Sequence, residues 1–193
     1  MEYVPPISRR QQIVYEAGCL FREKGYKATS MRDIAVQVDM EAASLYNHIK
    51  SKHDILSDLL FYIARRFQRG MKEINESSSS SLEKIKALIV LHIKLTTEDT
   101  HAIGLLTRDW RHLKEPELSN FVAIRNSYSE DFLALINAGM KEGAIKKANS
   151  EIVLNTIFSS LSWLYVWYTT DKNISPEELE VQITDLLVNG IKH

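Results

Sequence analysis

The segment that decides the fold reads SMRDIAVQVDMEAASLYNHIKSK and covers residues 30–52. Its first four residues have the Ser-x-x-Asp pattern of an N-terminal capping box, which predicts a short helix that continues to about Val38. Asp39 and Met40 then make a tight turn, and a second short helix follows over about residues 41–48. Two short helices joined by a tight turn, behind a longer helix, are the plan of a helix-turn-helix.

The rest of the chain predicts an all-α fold of about nine helices. Apolar residues recur with the 3.6-residue helical period, and the helix breakers are few, with seven Gly and four Pro in 193 residues. The helix before the turn motif runs over about residues 8–24. One of its faces carries Ile13, Ala17, Leu20 and Phe21.

A run of five serines at residues 77–81 interrupts the helical pattern. Such a run is typical of a solvated, flexible connection. We therefore predict an N-terminal helix-turn-helix domain over residues 8–68, with the motif itself at about 30–51, and a second helical domain over residues 69–193. The eighth predicted helix, residues 151 to about 168, is apolar nearly all round. It cannot stay uncovered on a monomer, so helices eight and nine are predicted to form a homodimer interface.

Composition excludes several classes of protein. A single cysteine, Cys19, permits no intrachain disulfide and is typical of a cytoplasmic protein. The N-terminus lacks the apolar stretch of a signal peptide, and the longest apolar run, residues 163–168, is too short for a membrane span. There is no Gly-rich phosphate loop, no His-Glu-x-x-His and no metal-ligand spacing among the six histidines. No catalytic residue, metal or cofactor is predicted.

The second short helix of the motif carries side chains suited to the DNA major groove. Ala can contact a thymine methyl, Ser can bond several bases, and Asn can pair with adenine. Tyrosine, histidine and lysine side chains can reach phosphates, as can a hydroxyl and amides at a helix N-terminus. The predicted DNA-binding residues are Thr29, Ser30, Arg32, Ala42, Ala43, Ser44, Tyr46, Asn47, His48, Lys50 and Lys52. Spacing alone leaves a second reading open, in which Ala42, Ala43 and Leu45 pack in a core.

Several motifs within residues 8–68 together resemble the TetR family of transcriptional regulators. They are Phe21 with Gly25-Tyr26, Ser30-Met31-Arg32-Asp33-Ile34-Ala35, Ser44-Leu45-Tyr46 with His48, and Ser51-Lys52. The resemblance implies a nine-helix, two-fold dimer. Helices one to three would bind operator DNA, and the remaining helices would bind a small effector and the partner subunit.

The chain departs from the family pattern at four positions of the motif. Asp39 stands where the turn usually has Gly, and Asp tolerates the left-handed conformation better than most residues. Glu41 replaces a common Ser, Ala43 replaces a frequent Gly, and Ile49 replaces an aromatic residue. These changes are compatible with the fold and bear on which operator sequence is recognised.

The segment Arg108-Asp109-Trp110-Arg111 places two guanidiniums beside a tryptophan. Guanidiniums bind carboxylates and phosphates with paired hydrogen bonds. Alternatively, these arginines pair with Asp109, Glu115 or Glu117 on a helix surface. The later half also resembles a TetR branch that responds to acyl-CoA thioesters. The resembling residues are Asp109-Trp110-Arg111, Arg125, Tyr128, Gly139, Glu142-Gly143, Trp163, Trp167-Tyr168 and Ser175-Pro176-Glu177-Glu178.

This second resemblance implies a hydrophobic effector, such as a fatty-acyl or related CoA ester. Its predicted binding residues are Phe67, Met71, Leu106, Arg108, Trp110, Arg111, Tyr128 and Phe132, with Arg108 or Arg111 on the nucleotide phosphates. The sequence therefore predicts a ligand-responsive DNA-binding regulator that the effector releases from a palindromic operator. The family resemblance implies that this regulator is a repressor. A helical interaction module without DNA binding and an all-helical enzyme are the alternatives.

Overall fold

The structure is a computed structural model, which describes residues 8–170 and 174–192. These residues form ten α-helices and one short 3-10 helix, and they contain no β-strand. The helices are α1 (Arg9–Lys24), α2 (Met31–Gln37), α3 (Ala42–Tyr46), α4 (Lys52–Glu76), α5 (Ser81–Glu98), α6 (Thr100–Arg108), the 3-10 helix (Trp110–His112), α7 (Glu117–Lys141), α8 (Ser150–Ser162), α9 (Leu164–Thr170) and α10 (Pro176–Ile191). The predicted all-α fold is confirmed.

The first three helices pack around the apolar face predicted for α1. Its four residues are buried together with Ile34 of α2 and with Leu45 and Ile49 from the α3 region. Between α2 and α3, Asp39 has φ 51°, which is the left-handed conformation that the turn requires. An aspartate thus serves where the family usually has glycine, and Ile49 fills the core position that an aromatic residue commonly takes.

Helix α4 joins the two halves of the molecule. Leu56 and Leu60 belong to the core beneath α1–α3, Ile63 and Phe67 to a middle cluster, and Met71 to the core of the C-terminal half. One continuous helix therefore crosses the predicted domain boundary at residues 68/69.

The serine run connects α4 to α5 over an exposed stretch, and its hydroxyls form hydrogen bonds at the helix ends. The Ser77 hydroxyl donates to the Ile74 carbonyl at 2.8 Å, and the Ser80 hydroxyl accepts from the Glu83 amide at 3.4 Å. The Ser81 hydroxyl, which is buried, donates to the Glu142 carboxylate at 2.6 Å. The Ser77 and Ser80 hydroxyls bond backbone groups at the end of α4 and the start of α5, so the run caps both helices.

Two helices end earlier than the periodicity predicts. Helix α6 stops at Arg108, and Trp110 lies in the following 3-10 helix. The predicted eighth helix is divided into α8 and α9 at Trp163, whose carbonyl accepts from the Val166 amide at 3.0 Å. This break lets the buried faces of both α8 and α9 reach the core. None of the helices in the described part of the chain combines the length and the hydrophobicity that a membrane span requires.

Candidate functional site

The first candidate site is the outer surface of the helix-turn-helix. Leu45 and Ile49 fix the α3 region to the core, with 0% and 2% of their surfaces exposed. Around them, most of the predicted DNA-binding side chains are exposed. The exposed set comprises Ser30, Arg32, Ala43, Ser44, Tyr46, Asn47, His48 and Lys50, while Ala42 is half-buried. The α3 region therefore has a core side and a polar outer side, as a recognition helix needs.

The start of α2 is held by a reciprocal cap. The Ser30 hydroxyl accepts from the Asp33 amide at 3.2 Å, and the Asp33 carboxylate accepts from the Ser30 amide at 2.8 Å. Lys24 adds an ion pair to Asp33 at 3.1 Å. The Ser30 hydrogen bonds, followed by the Lys24 contact, hold the pKa of Asp33 well below its usual range. The predicted capping box is confirmed.

Two of the predicted DNA-binding side chains are engaged inside the protein. Thr29 is 1% exposed, and its hydroxyl donates to the Gly25 carbonyl at 2.9 Å. Its hydroxyl therefore does not reach the surface, in contrast to the role predicted from sequence. The Lys52 ammonium donates to the carbonyls of Tyr26, Lys27 and Thr29 at 2.8, 3.1 and 2.7 Å. Since an ammonium has three protons, a phosphate contact by Lys52 would have to replace one of these bonds.

The second candidate site is a cavity of about 210 Å³ in the C-terminal half. Of the predicted effector residues, Phe67, Leu106 and Tyr128 line it, whereas Met71 and Phe132 lie in the neighbouring core. Trp110 lies beside it, in contact with the lining residue Arg125, and Arg111 contacts Trp110. The complete lining is Ala64, Phe67, Gln68, His92, Thr96, Ile103, Leu106, Thr107, Ile124, Arg125, Tyr128, Ser129, Phe158, Leu161 and Ser162.

His92 is one of the lining residues that the sequence prediction missed, and its ring is bonded to a residue that the prediction included. Its Nε2 lies 2.9 Å from the Tyr128 hydroxyl. Burial lowers the pKa of His92 to about 3 and raises that of Tyr128, so both side chains are neutral near pH 7. The signal was present in the sequence, because His92 and Thr96 continue the apolar face that Ile85 and Ile89 begin, and a polar pair on such a face needs a partner.

A second arrangement lies at the exposed rim of the cavity. The guanidiniums of Arg111 and Arg125 lie 4.7 and 4.5 Å from the ring centre of Trp110. Burial, followed by repulsion from Arg111, lowers the pKa of Arg125. Within the described residues, no carboxylate lies within ion-pair distance of Arg108, Arg111 or Arg125. Arg111 and Arg125 therefore do not form the surface pairing considered from the sequence, whereas Arg108 lies close enough to Asp109 to favour its charged form. The two rim guanidiniums suit an anion.

Helix α6 and the 3-10 helix connect this cavity to the DNA-binding half. The Arg22 guanidinium of α1 donates to the Thr100 hydroxyl of α6 at 3.2 Å. Tyr26, in the loop before α2, stacks on His112 with ring centres 5.2 Å apart. His53 of α4 accepts from the Lys114 amide at 3.0 Å. The segments that border the cavity thus contact both ends of the helix-turn-helix.

Comparisons with known protein families match both the helix-turn-helix half and the C-terminal half of the chain. The family described as "Bacterial regulatory proteins, tetR family" matches residues 13–59. The family described as "Tetracyclin repressor-like, C-terminal domain" matches residues 78–191, which is more than half of the chain. The chain belongs to the TetR family. Its expected identity as a DNA-binding transcriptional regulator is confirmed, and membership of a regulator family favours regulation over catalysis.

Individual TetR-family proteins resemble the chain along nearly its whole length. The repressor KstR2 of Mycolicibacterium smegmatis is 27% identical and aligns with 96% of this chain and 92% of its own. The fatty acid metabolism regulator of Bacillus subtilis is 25% identical, over 93% of this chain and 94% of its own. The structure of the ketosteroid regulator KstR2 of Mycobacterium tuberculosis has a TM-score of 0.91 at 21% identity, with 96% of each chain covered.

A solved complex gives a further fold match. AibR, determined with isovaleryl coenzyme A and operator DNA, has a TM-score of 0.82 at 20% identity and covers 94% of this chain and 98% of its own. At this identity the likeness establishes the fold. The family domain matches end at residue 59 and begin again at residue 78, so the predicted boundary at 68/69 lies in the interval between them.

Proposed function

We propose that this protein is a homodimeric cytoplasmic repressor that releases a palindromic operator when a CoA thioester with a short acyl group enters the cavity. The observation that carries the proposal is Trp110 at the rim of an aromatic cavity, where its ring contacts the guanidiniums of two arginines that have no acidic partner among the described residues. Apolar walls suit an acyl group, and guanidiniums suit the phosphates of CoA. The complex of AibR with isovaleryl coenzyme A is consistent with such a ligand.

The cavity volume limits the acyl group. A water-sized group occupies about 30 Å³, so 210 Å³ accommodates about seven such groups. A short or branched acyl group fits this space without rearrangement. A long fatty-acyl chain exceeds this space and would extend out of the open side of the cavity. The effector proposed here is therefore a CoA ester with a short acyl group.

Release of DNA follows if the ligand prefers a conformation that binds DNA poorly. Shifting such an equilibrium from 1:99 to 99:1 needs about 5.5 kcal/mol of differential binding. Burial of about seven methylene-sized groups gives a similar free energy, at about 0.8 kcal/mol each. Helix α4 is the proposed lever, because Phe67 lines the cavity and its first turn adjoins the recognition helix. Helix α6 shares the movement through its contacts with α1.

The exposed surface of the α3 region is proposed to lie in the major groove. Ser44 and Asn47 contact base edges there, and the small side chains of Ala42 and Ala43 permit the close approach. The phosphate contacts are assigned to Ser30, Arg32, Tyr46, His48 and Lys50. Lys52 holds the loop before α2 and thereby sets the position of the motif.

The homodimer is proposed to form through α8–α10, which correspond to the eighth and ninth helices of the sequence prediction. Ile152 and Trp163 are each 66% exposed, and Val181 and Leu186 of α10 are 70% and 73% exposed. Large apolar side chains with this exposure, on the segments that periodicity assigns to an interface, favour a partner subunit as their cover. A two-fold dimer reads two half-sites that are one helical turn, or a multiple of it, apart.

Calorimetric titration with CoA thioesters of two to ten acyl carbons tests the proposal. Thioesters of up to about six acyl carbons should bind and displace a fluorescent operator fragment. Arg125→Ala and Arg111→Ala should each weaken binding about tenfold, as loss of a charge-assisted hydrogen bond predicts. Arg69→Ala, at an exposed position of α4 outside the cavity, is the matched control. Binding of none of the thioesters, or binding without operator release, would refute the proposed effector.

A further inference from the structure

The inner wall of the cavity is an aromatic cage around one polar pair. The His92 ring lies 4.6 Å from the Phe67 ring and 5.6 Å from the Phe158 ring, between ring centres. The Tyr128 ring packs against the same two rings, at 5.7 and 6.3 Å. The cage takes one side chain from each of α4, α5, α7 and α8. Among these four rings, the only polar atoms are those of the histidine and the tyrosine.

The His92 and Tyr128 side chains can form more hydrogen bonds than the one that joins them. A neutral imidazole has one donor and one acceptor, and a phenol has one donor and an acceptor oxygen. If the Tyr128 hydroxyl donates to Nε2, the Nδ1–H of His92 is left over. If Nε2–H donates instead, the hydroxyl proton of Tyr128 is left over. In either tautomer one donor is unused, because no other hydrogen bond of these two side chains occurs among the described residues.

Three other hydroxyls of the lining have already used their protons. Thr96, Thr107 and Ser129 each donate to the carbonyl four residues earlier in the same helix, at 2.7, 2.9 and 3.0 Å. Such bonds leave these side chains without a donor for a ligand. The unused proton within the aromatic cage therefore belongs to the His92–Tyr128 pair. Both residues are half-buried and line the cavity, so a ligand oxygen that displaces water from this donor keeps its hydrogen bond, whereas an apolar group loses it.

We propose that the His92–Tyr128 pair determines ligand specificity by donating a hydrogen bond to a carbonyl or hydroxyl oxygen of the effector inside the cavity. The effector is then an oxygen-bearing short acyl group and not a plain hydrocarbon chain. This inference rests on the proposed function in one respect only, namely that CoA carries the acyl group. The oxygen has two possible sources, the thioester carbonyl itself or an oxo or hydroxyl group further along the acyl chain.

The test begins with two probes that contain no CoA. Cyclohexanone and methylcyclohexane each have seven non-hydrogen atoms, which matches the volume of the cavity, and only the first accepts a hydrogen bond. Binding to the full-length protein is measured by ¹⁵N NMR of the labelled histidine rings and by competition with operator release. The compared quantity is the ratio of the two affinities, in the wild type and in His92→Phe/Tyr128→Phe, because the ratio cancels the hydrophobic contribution common to both probes.

The double variant should lower the affinity for cyclohexanone about tenfold relative to methylcyclohexane, the effect of one hydrogen bond. Thr97→Val, which removes a hydroxyl that is bonded within α5 and lies outside the cavity lining, should leave the ratio unchanged. Tyr128→Phe removes a single oxygen atom and should alter the ratio at least twofold. It replaces the double variant in the test if the double variant does not fold. In the wild type, cyclohexanone should shift the His92 ring ¹⁵N signals and methylcyclohexane should not.

A second set of measurements, with CoA compounds, identifies which oxygen of the effector accepts the hydrogen bond. Weaker binding of S-hexyl-CoA than of hexanoyl-CoA identifies the thioester carbonyl, and tighter binding of 3-oxohexanoyl-CoA identifies a chain oxygen. If every CoA compound fails while cyclohexanone behaves as expected, the proposed acyl-CoA effector is wrong and the role of the pair stands. Equal affinity ratios in the wild type and both variants, an unshifted His92 signal, or failure of both small probes to bind would overturn the inference.

Discussion

The DNA-binding surface and the effector cavity of this protein are built in opposite ways. The residues proposed to contact DNA lie within residues 30–50, on the outside of a small core, and the hydrogen bonds that shape them are mostly local. The cavity takes its lining from residues 64–162, on α4 to α8, and its polar pair is enclosed by aromatic rings. A surface motif can therefore be read from a short segment, whereas a cavity depends on how distant helices meet.

The largest effect is expected from disruption of the proposed dimer interface, which brings the DNA-binding surfaces of two subunits together. Val181→Glu/Leu186→Glu places two charges on exposed apolar positions of α10. If the dimer forms there, the variant should be monomeric in light scattering and should lose more than about a hundredfold in operator affinity, because only one half-site is then held. Tyr62→Glu, at an exposed aromatic position of α4, is the control and should remain dimeric. A dimeric double variant with normal operator binding would contradict the proposed interface.

Asn47 tests whether the local surface reads bases. Its exposed side chain can form two hydrogen bonds with adenine, so Asn47→Ala should cost about 1–3 kcal/mol in operator affinity and should change which base is preferred at one position of each half-site. The measurement is anisotropy with a set of operators that carry single base changes. A uniform loss across all the operators would assign Asn47 to phosphate contact instead.

His92 should make the stability of the C-terminal half depend on pH. Its folded-state pKa of about 3 lies below the value of about 6.5 for an unfolded histidine, so the unfolded chain binds more protons between these values. The free energy of unfolding should therefore fall by about 1–2 kcal/mol as the pH is lowered from 7 to 5. Urea titrations should show this decrease in the wild type and a smaller one in His92→Phe. Identical pH profiles of the two proteins would show that the ring is not buried as a neutral group.

The smallest expected effect is the difference between Lys50 and Lys52 in their contribution to DNA binding. Lys50 is exposed, so Lys50→Ala should weaken binding to all DNA sequences a few-fold and lower the salt slope of the binding constant by about one. Lys52 is held by three carbonyls, so Lys52→Ala should lower stability and leave the salt slope nearly unchanged. Fluorescence anisotropy over a range of salt concentrations measures both slopes. A reduced slope for Lys52→Ala would restore the phosphate contact predicted from the sequence.

Several features of the fold follow from local sequence chemistry. The capping box at Ser30, the left-handed turn at Asp39 and the buried face of α1 are each determined within a few residues. All three can be predicted from the sequence, because caps, turns and helix periodicity arise from interactions between near neighbours in the chain. The same local chemistry also identified the exposed side of the recognition helix.

The tertiary structure alone decided the roles of other residues. It turned the hydroxyl of Thr29 inward, engaged the ammonium of Lys52 with the loop before α2, and divided the predicted eighth helix at Trp163. It also brought His92 to Tyr128, 36 residues away in the chain, and placed Met71 and Phe132 outside the cavity. Periodicity shows that a side chain faces the interior. Which interior neighbour or cavity it meets depends on the packing of several helices at once, and no single segment contains that information.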